Sequence, residues 1–193
     1  IQNKKNFFNS YWKDIKYIEA NKDWLISSLK NNEIIKNSWN SNLNYDRAMI
    51  HVRRGDFIKD DRQLHASYYE KSIELFLKLN KKIKFDVFTD DEDWVKNQKV
   101  FSYVENIFSQ KGGQNKNLDA LDIDGKDDKA ETIKTFSDML KYKHFISGNS
   151  SFAFWAAFIR TDNSSIVSVP KPWFRGNDHP TLAKSNWHII ENI

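Results

Sequence analysis

Ala48-Met49-Ile50-His51-Val52-Arg53-Arg54-Gly55-Asp56 decides the architecture. A short apolar run closed by charged and turn residues reads as a strand buried on both faces. Working outward, Tyr68 to Leu79 carries apolar residues at helical spacing, and Ile83 to Phe88 is a second strand, ending at Thr89-Asp90-Asp91. The pattern predicts a short helix through Trp94, a strand over Val100 to Ile107, a helix over Glu131 to Lys143 and a strand over His144 to Gly148. A helix over Ser150 to Ile159 and a strand over Ile166 to Val169 follow. Strands alternating with helices of this length argue for an α/β fold with a parallel sheet built from βαβ units. Upstream, Phe8 to Leu29 has roughly helical spacing, and Asn31 to Asn44 is read as a loop or frayed helix end. Ser109 to Asp128 is read as a surface loop.

The chain has 193 residues, which suits one domain with a full core. Hydrophobic residues make up 39% and charged residues 29%, a folded balance, and mean hydropathy is −0.72. No run is long and apolar enough to span a membrane, and no signal-peptide pattern opens the chain. There is no cysteine, so disulfides, thiolate metal sites and thiol catalysis are excluded. That usage suits a reducing compartment. The net charge of +4 permits an anionic ligand, and no nucleic-acid-binding pattern is present.

Two clusters at strand ends point to a phosphate-bearing ligand, because ligands of parallel sheets sit at the carboxyl ends of strands. The first is His51 to Asp56. Only 6 of the 30 basic residues are arginine, so adjacent Arg53 and Arg54 stand out. A guanidinium fork matches phosphate oxygens in pairs. Side-chain alternation puts His51 and Arg53 on one face of the strand and Arg54 on the other. The second cluster is Ser147-Gly148-Asn149-Ser150-Ser151-Phe152, where small residues open a helix whose N–H groups and dipole favour an anion. One phosphate per cluster suits a nucleoside diphosphate. The acids Asp90 to Asp93 read as helix-start residues rather than metal ligands.

In order along the chain, His51-Val-Arg-Arg-Gly-Asp-Phe57, Gln63 to Tyr69, Phe85 to Asp91, Lys143 to Phe152 with Phe154 to Ala157, and Val169 to Phe174 resemble the motifs of the α-1,2-fucosyltransferases of glycosyltransferase family 11. The resemblance runs from about Asn6 to Trp187. It implies a Rossmann-like parallel sheet with flanking helices, similar to the donor-binding half of a GT-B enzyme. It implies metal-independent, inverting transfer of L-fucose from GDP-fucose to a galactose 2-hydroxyl, with no cofactor beyond the donor substrate. Carried over by position, Arg53 and Arg54 hold the diphosphate and His51 and Asp56 shape the strand end. Asn149, Ser150, Ser151 and Phe152 meet the phosphates, and Asp90 and Asp91 lie near the nucleoside.

The family's opening Gly-Gly-Leu-Gly-Asn-Gln segment is not found. Residues 1–45 are therefore expected to be a helical lead-in from an N-terminal domain, and residues 46–193 the nucleotide-sugar-binding domain. The family's usual aspartate before the third motif falls on Thr135, and Asp138 is the expected substitute for reading guanine. Asp60 and Asp61 are the candidate catalytic bases, Asp61 the preferred one. The expected partners are a GDP-sugar and a galactose-containing glycan of a bacterial surface. The expected setting is the cytoplasm, with peripheral contact to the inner membrane. A transferase using another GDP-sugar, or a nucleotide-binding module without turnover, are the alternatives.

Overall fold

The computed structural model describes residues 15–110, 126–174 and 181–192. Six parallel strands form one sheet: β1 (Asn44–Val52), β2 (Lys84–Thr89), β3 (Val104–Ser109), β4 (Tyr142–Ile146), β5 (Val167–Lys171) and β6 (His188–Glu191). Their order is β3-β2-β1-β4-β5-β6. This is the doubly wound dinucleotide-binding order, in which the winding reverses between β1 and β4. That reversal opens a crevice at the carboxyl end of β1.

The helices are α1 (Ile15–Ala20), α2 (Lys22–Leu29), α3 (Glu33–Asn40), α4 (Ala66–Leu79), α5 (Glu92–Asn97), α6 (Lys126–Met139) and α7 (Ser151–Arg160). The sheet separates two cores. On one face Met49, Phe88 and Phe145 pack with Met139 of α6, Phe154 and Phe158 of α7, and Ile18 and Ile35 of the leading helices. On the other, Ala48, Ile50, Val52 and Val87 pack with Tyr68, Tyr69, Ile73 and Phe76 of α4 and Val95 of α5. Burying each large side chain contributes about 1.5–3 kcal/mol. The alternation along β1 therefore sends Met49 to the α6–α7 face and Ile50 to the α4–α5 face.

Three sequence expectations shift and one strand is added. The stretch from Asn31 to Asn44 contains α3: Asn32 caps it by accepting from the Ile34 and Ile35 amides, and Ile35 and Ser38 are buried. Lys99 to Tyr103 is a 3₁₀ turn, so β3 starts only at Val104. α6 ends at Met139 rather than Lys143, because Tyr142 already pairs in the sheet. β6 is a short, half-exposed edge strand. Most of the Ser109–Asp128 loop lies outside the described residues.

A polar row crosses the α6 side of the sheet near its amino end. Asp86, 1% exposed, accepts from both Arg47 Nε (2.6 Å) and Arg47 Nη2, from Asn106 Nδ2 (2.7 Å) and from Tyr142 Oη (2.8 Å). Burial alone would push its carboxyl up, but these hydrogen bonds outweigh it and hold the group below the usual range.

Candidate donor-binding site

At the crevice lies a cavity of about 210 Å³, lined by His51, Arg53, Gln110, Glu131, Thr132, Thr135, Ser150 and Phe152. Each wall comes from a different element: the end of β1, the residue after β3, one side of α6, and the start of α7. His51 and Arg53 face it together because they are two apart on β1.

Arg53 is fixed from below. Its guanidinium pairs with Asp90 Oδ2 at 3.0 Å and Asp56 Oδ1 at 2.8 Å. The Asp90 side chain is 3% exposed, that of Asp56 47%. Asp90 also accepts the Arg54 amide at 2.8 Å. Its carboxylate therefore holds both the backbone and the side chain of the motif. Gly55 leaves room for it: a Cβ there would sit 2.8 Å from Asp90 Oδ2.

His51 is 1% exposed. Burial, then the Arg53 charge, push its pKa down to about 3, with the nearby Gln110 amide a weaker opposing influence. The ring is therefore neutral at physiological pH. Neither His51 Nδ1 nor Gln110 Nε2 reaches a partner within hydrogen-bonding geometry among the described residues. Both residues line the cavity. Tyr69 of α4 donates to the His51 carbonyl at 3.5 Å and Tyr68 to the Ser147 carbonyl at 2.5 Å, bracing both loops from the far side.

At the opposite wall, Ser150 caps α7 by accepting from the Phe152 amide at 3.3 Å. Asn149 is buried and donates to the Arg62 carbonyl at 2.6 Å. Gly148 lets this loop reach β1, since a Cβ there would meet the His51 carbonyl oxygen at 2.7 Å. The start of α7 and the guanidinium of Arg53 thus flank one cavity, an arrangement suited to an anion.

The structure sorts the residues named from sequence. His51, Arg53, Ser150 and Phe152 line the cavity, with Asp56 and Asp90 bound to Arg53 and Asn149 behind the wall. Arg54 does not face it. Alternation carries its guanidinium to the α5 side, where Nε pairs with Asp91 Oδ2 at 3.0 Å and the group lies 4.0 Å from the Trp94 ring centre. Asp91 is thereby spent on Arg54 and on capping α5 through the Trp94 amide. Asp138 is also displaced from its expected place: it pairs with Lys141 at 2.6 Å, while Thr135 lines the cavity. Ser151 turns to a neighbouring apolar groove with Leu25, Phe136 and Trp155. Asp61 has φ 50° and accepts from Gln63, while Asp60 pairs with Arg62; neither lines the cavity. Among the described residues, no three histidine or acidic side chains converge to hold a metal ion.

Sequence reasoning missed Glu131, Thr132 and Gln110. Glu131 and Thr135 are four apart and share a side of α6, a helical signal that was available once α6 was placed over the sheet.

The glycosyl transferase family 11 model matches residues 1–191. The chain belongs to this family. Over 192 residues, 92% of the chain, it is 26% identical to the O-antigen biosynthesis glycosyltransferase WbnK of Escherichia coli, covering 58% of that protein. Over 131 residues, 65% of the chain, it is 29% identical to an alpha-1,2-colitosyltransferase of Escherichia coli, covering 40% of it. The chain thus spans about half the length of the curated relatives it matches. No solved structure matches significantly. The family so matched is one of glycosyl transferases. Among the described residues, no helix is long and apolar enough to cross a membrane.

Proposed function

We propose that this chain is the donor-binding part of a GT-B-type, inverting, metal-independent α-1,2-fucosyltransferase that uses GDP-fucose. The observation that carries the reading is the pairing of Arg53 with the start of α7 across one cavity at the sheet's winding reversal. A diphosphate there meets a guanidinium from β1 and backbone amides from α7, which stabilise the charge on departing GDP. The bond from fucose C1 to the phosphate oxygen breaks. The acceptor's galactose 2-hydroxyl attacks C1 from the opposite face, and its proton passes to a base. Neutral His51 contributes a hydrogen bond rather than a charge. The acceptor is a galactose-containing surface glycan, and the setting is the cytoplasm, at the inner membrane's periphery.

The likeness to a colitosyltransferase favours a second reading, transfer of a GDP-linked sugar other than fucose. Calorimetric titration of the complete protein with GDP, ADP and UDP tests the nucleotide, and a panel of GDP-sugars with a galactoside acceptor tests the transferred group. GDP-selective binding and GDP release from GDP-fucose are expected. Selective binding of UDP or ADP, or no turnover of any GDP-sugar, would overturn the reading.

A further inference from the structure

Resting on the diphosphate reading above, we propose that Arg62, rather than Arg54, is the second cation of that site. Arg54 is committed elsewhere: it would have to leave Asp91, leave the Trp94 ring and cross to the other face of the sheet to reach the cavity.

Arg62 arrives by a fold-back of the chain after the motif. The Arg62 amide donates to the Phe57 carbonyl at 2.9 Å, closing the segment, and Asp61 takes the left-handed turn at φ 50° that this return requires. Aspartate is among the few residues that tolerate such a backbone. The Arg62 carbonyl is then held by Asn149, next to the Ser150 that lines the cavity. So the segment is fastened to the start of α7.

The guanidinium of Arg62 lies 4.6 Å from the centre of the Phe57 ring and 5.8 Å from that of Phe174. Arg53 lies 5.8 Å from the same Phe57 ring. One aromatic ring thus neighbours two guanidinium groups, of which Arg53 lines the cavity and Arg62 stands next to that lining. Stacking fixes a guanidinium plane while leaving its N–H groups directed outward in that plane, available to paired oxygens. Arg62 Nε is buried with no hydrogen-bond partner among the described residues. Its carboxylate partner, Asp60, is 60% exposed. Exposed ion pairs of that kind contribute little and yield readily to a phosphate. Arg53 repeats the pattern, with exposed Asp56 as the partner that yields and buried Asp90 as the one that stays.

The test is titration of the complete protein and of Arg62→Ala, Arg62→Lys and Arg54→Ala with GDP and with GMP. Arg62→Ala is expected to weaken GDP by about 10- to 150-fold, the loss of one charge-assisted contact. The GDP-to-GMP affinity ratio should fall, and Arg62→Lys should recover part of it. Because the Arg62 side chain is 34% exposed and its carboxylate partner 60%, the melting temperature should move little. Arg54→Ala should lower the melting temperature and leave GDP affinity nearly unchanged. If wild type binds GDP and Arg62→Ala binds it equally well, or if Arg54→Ala loses GDP affinity while folded, the proposal is overturned and the diphosphate reading survives. If the wild-type protein binds no nucleoside diphosphate, both fall.

Discussion

Lowering the pH from 8 to 5 is expected to cost the protein about 2 kcal/mol through His51 alone. In the folded chain His51 titrates near 3, against 6.5 for the ordinary imidazole, because it is buried and faces Arg53. Between those values the unfolded chain binds a proton that the folded chain refuses. Stability is therefore complete above pH 6.5 and declines as the pH falls toward 3. His144 adds to the decline: burial lowers its pKa, and its ring nitrogens are engaged with the Tyr45 carbonyl and the Ile166 amide. Asp86, Glu105 and Asp162, all held low, lose their contributions only below about pH 4, so they do not enter this window. The assay is urea unfolding at pH 8 and pH 5 for wild type and His51→Gln. The variant is less stable at both pH values, but its loss between them should be smaller by about 2 kcal/mol. As melting temperature that is about 4–8 °C for a chain this size. Equal pH losses in the two proteins would mean that His51 takes its proton in the folded state. A charged, hydrated ring would then sit at the cavity wall.

Three further outcomes are expected. Gly148→Ala places a Cβ 2.7 Å from the His51 carbonyl oxygen and 3.2 Å from its Nδ1, so β1 and the loop after β4 must separate; about 1–3 kcal/mol is lost, read by thermal unfolding, and GDP affinity falls with it. Arg47→Ala leaves Asp86 as a buried carboxylate with only Asn106 and Tyr142 as donors, at a cost of about 3 kcal/mol by urea unfolding, and a double change of Arg47→Met with Asp86→Leu should restore most of it. Glu131→Gln removes the carboxylate from the α6 wall, which suits the two neighbouring N–H donors of guanine; GDP affinity should fall at least about 10-fold with ADP and UDP unmoved, and equal changes for all three would assign Glu131 no part in reading the base.

The parts of the fold legible in sequence are those that burial forces into a pattern. β1 was readable because a central parallel strand must be apolar on both faces, and alternation along it correctly separated Arg53 from Arg54. α3 was not, because only Ile34, Ile35 and Trp39 interrupt a polar run and its start depends on the Asn32 cap. β6 was missed because an edge strand of four half-exposed residues needs little hydrophobicity. At the site, residues next to a strand end were readable and residues brought in from a distance were not. Glu131 and Thr135 reach the cavity only because α6 crosses back to β4. Asp138, three residues after Thr135, lies beside Lys141 at the helix end. Family resemblance put both arginines on the diphosphate, and only the sheet's two-sidedness distinguishes them.

The use of arginine in this lysine-rich chain follows from what its planar group can do. Every arginine among the described residues is clamped by a carboxylate or an aromatic face: Arg47 by Asp86 and Glu105, Arg53 by Asp56 and Asp90, Arg54 by Asp91 and Trp94, Arg62 by Asp60 and Phe57, Arg160 by Trp39. A lysine ammonium has no face to stack and no fork to pair. Lysine is held in a few places too, as buried Lys143 on Asp162 and Lys184 on the Phe158 carbonyl, but through a single point contact rather than a fork. The distinction matters for transfer chemistry, because stabilising a leaving diphosphate depends on donors that are already in place when charge develops. Asp90 supplies that for Arg53: buried, bonded to the neighbouring amide, it fixes the guanidinium before any ligand arrives. Asp56 and Asp60 do the opposite. Being exposed, they pair with Arg53 and Arg62 in contacts that, on the reading proposed above, yield to a phosphate at little cost. A buried acid that stays and exposed acids that can leave are what the proposed anion site requires.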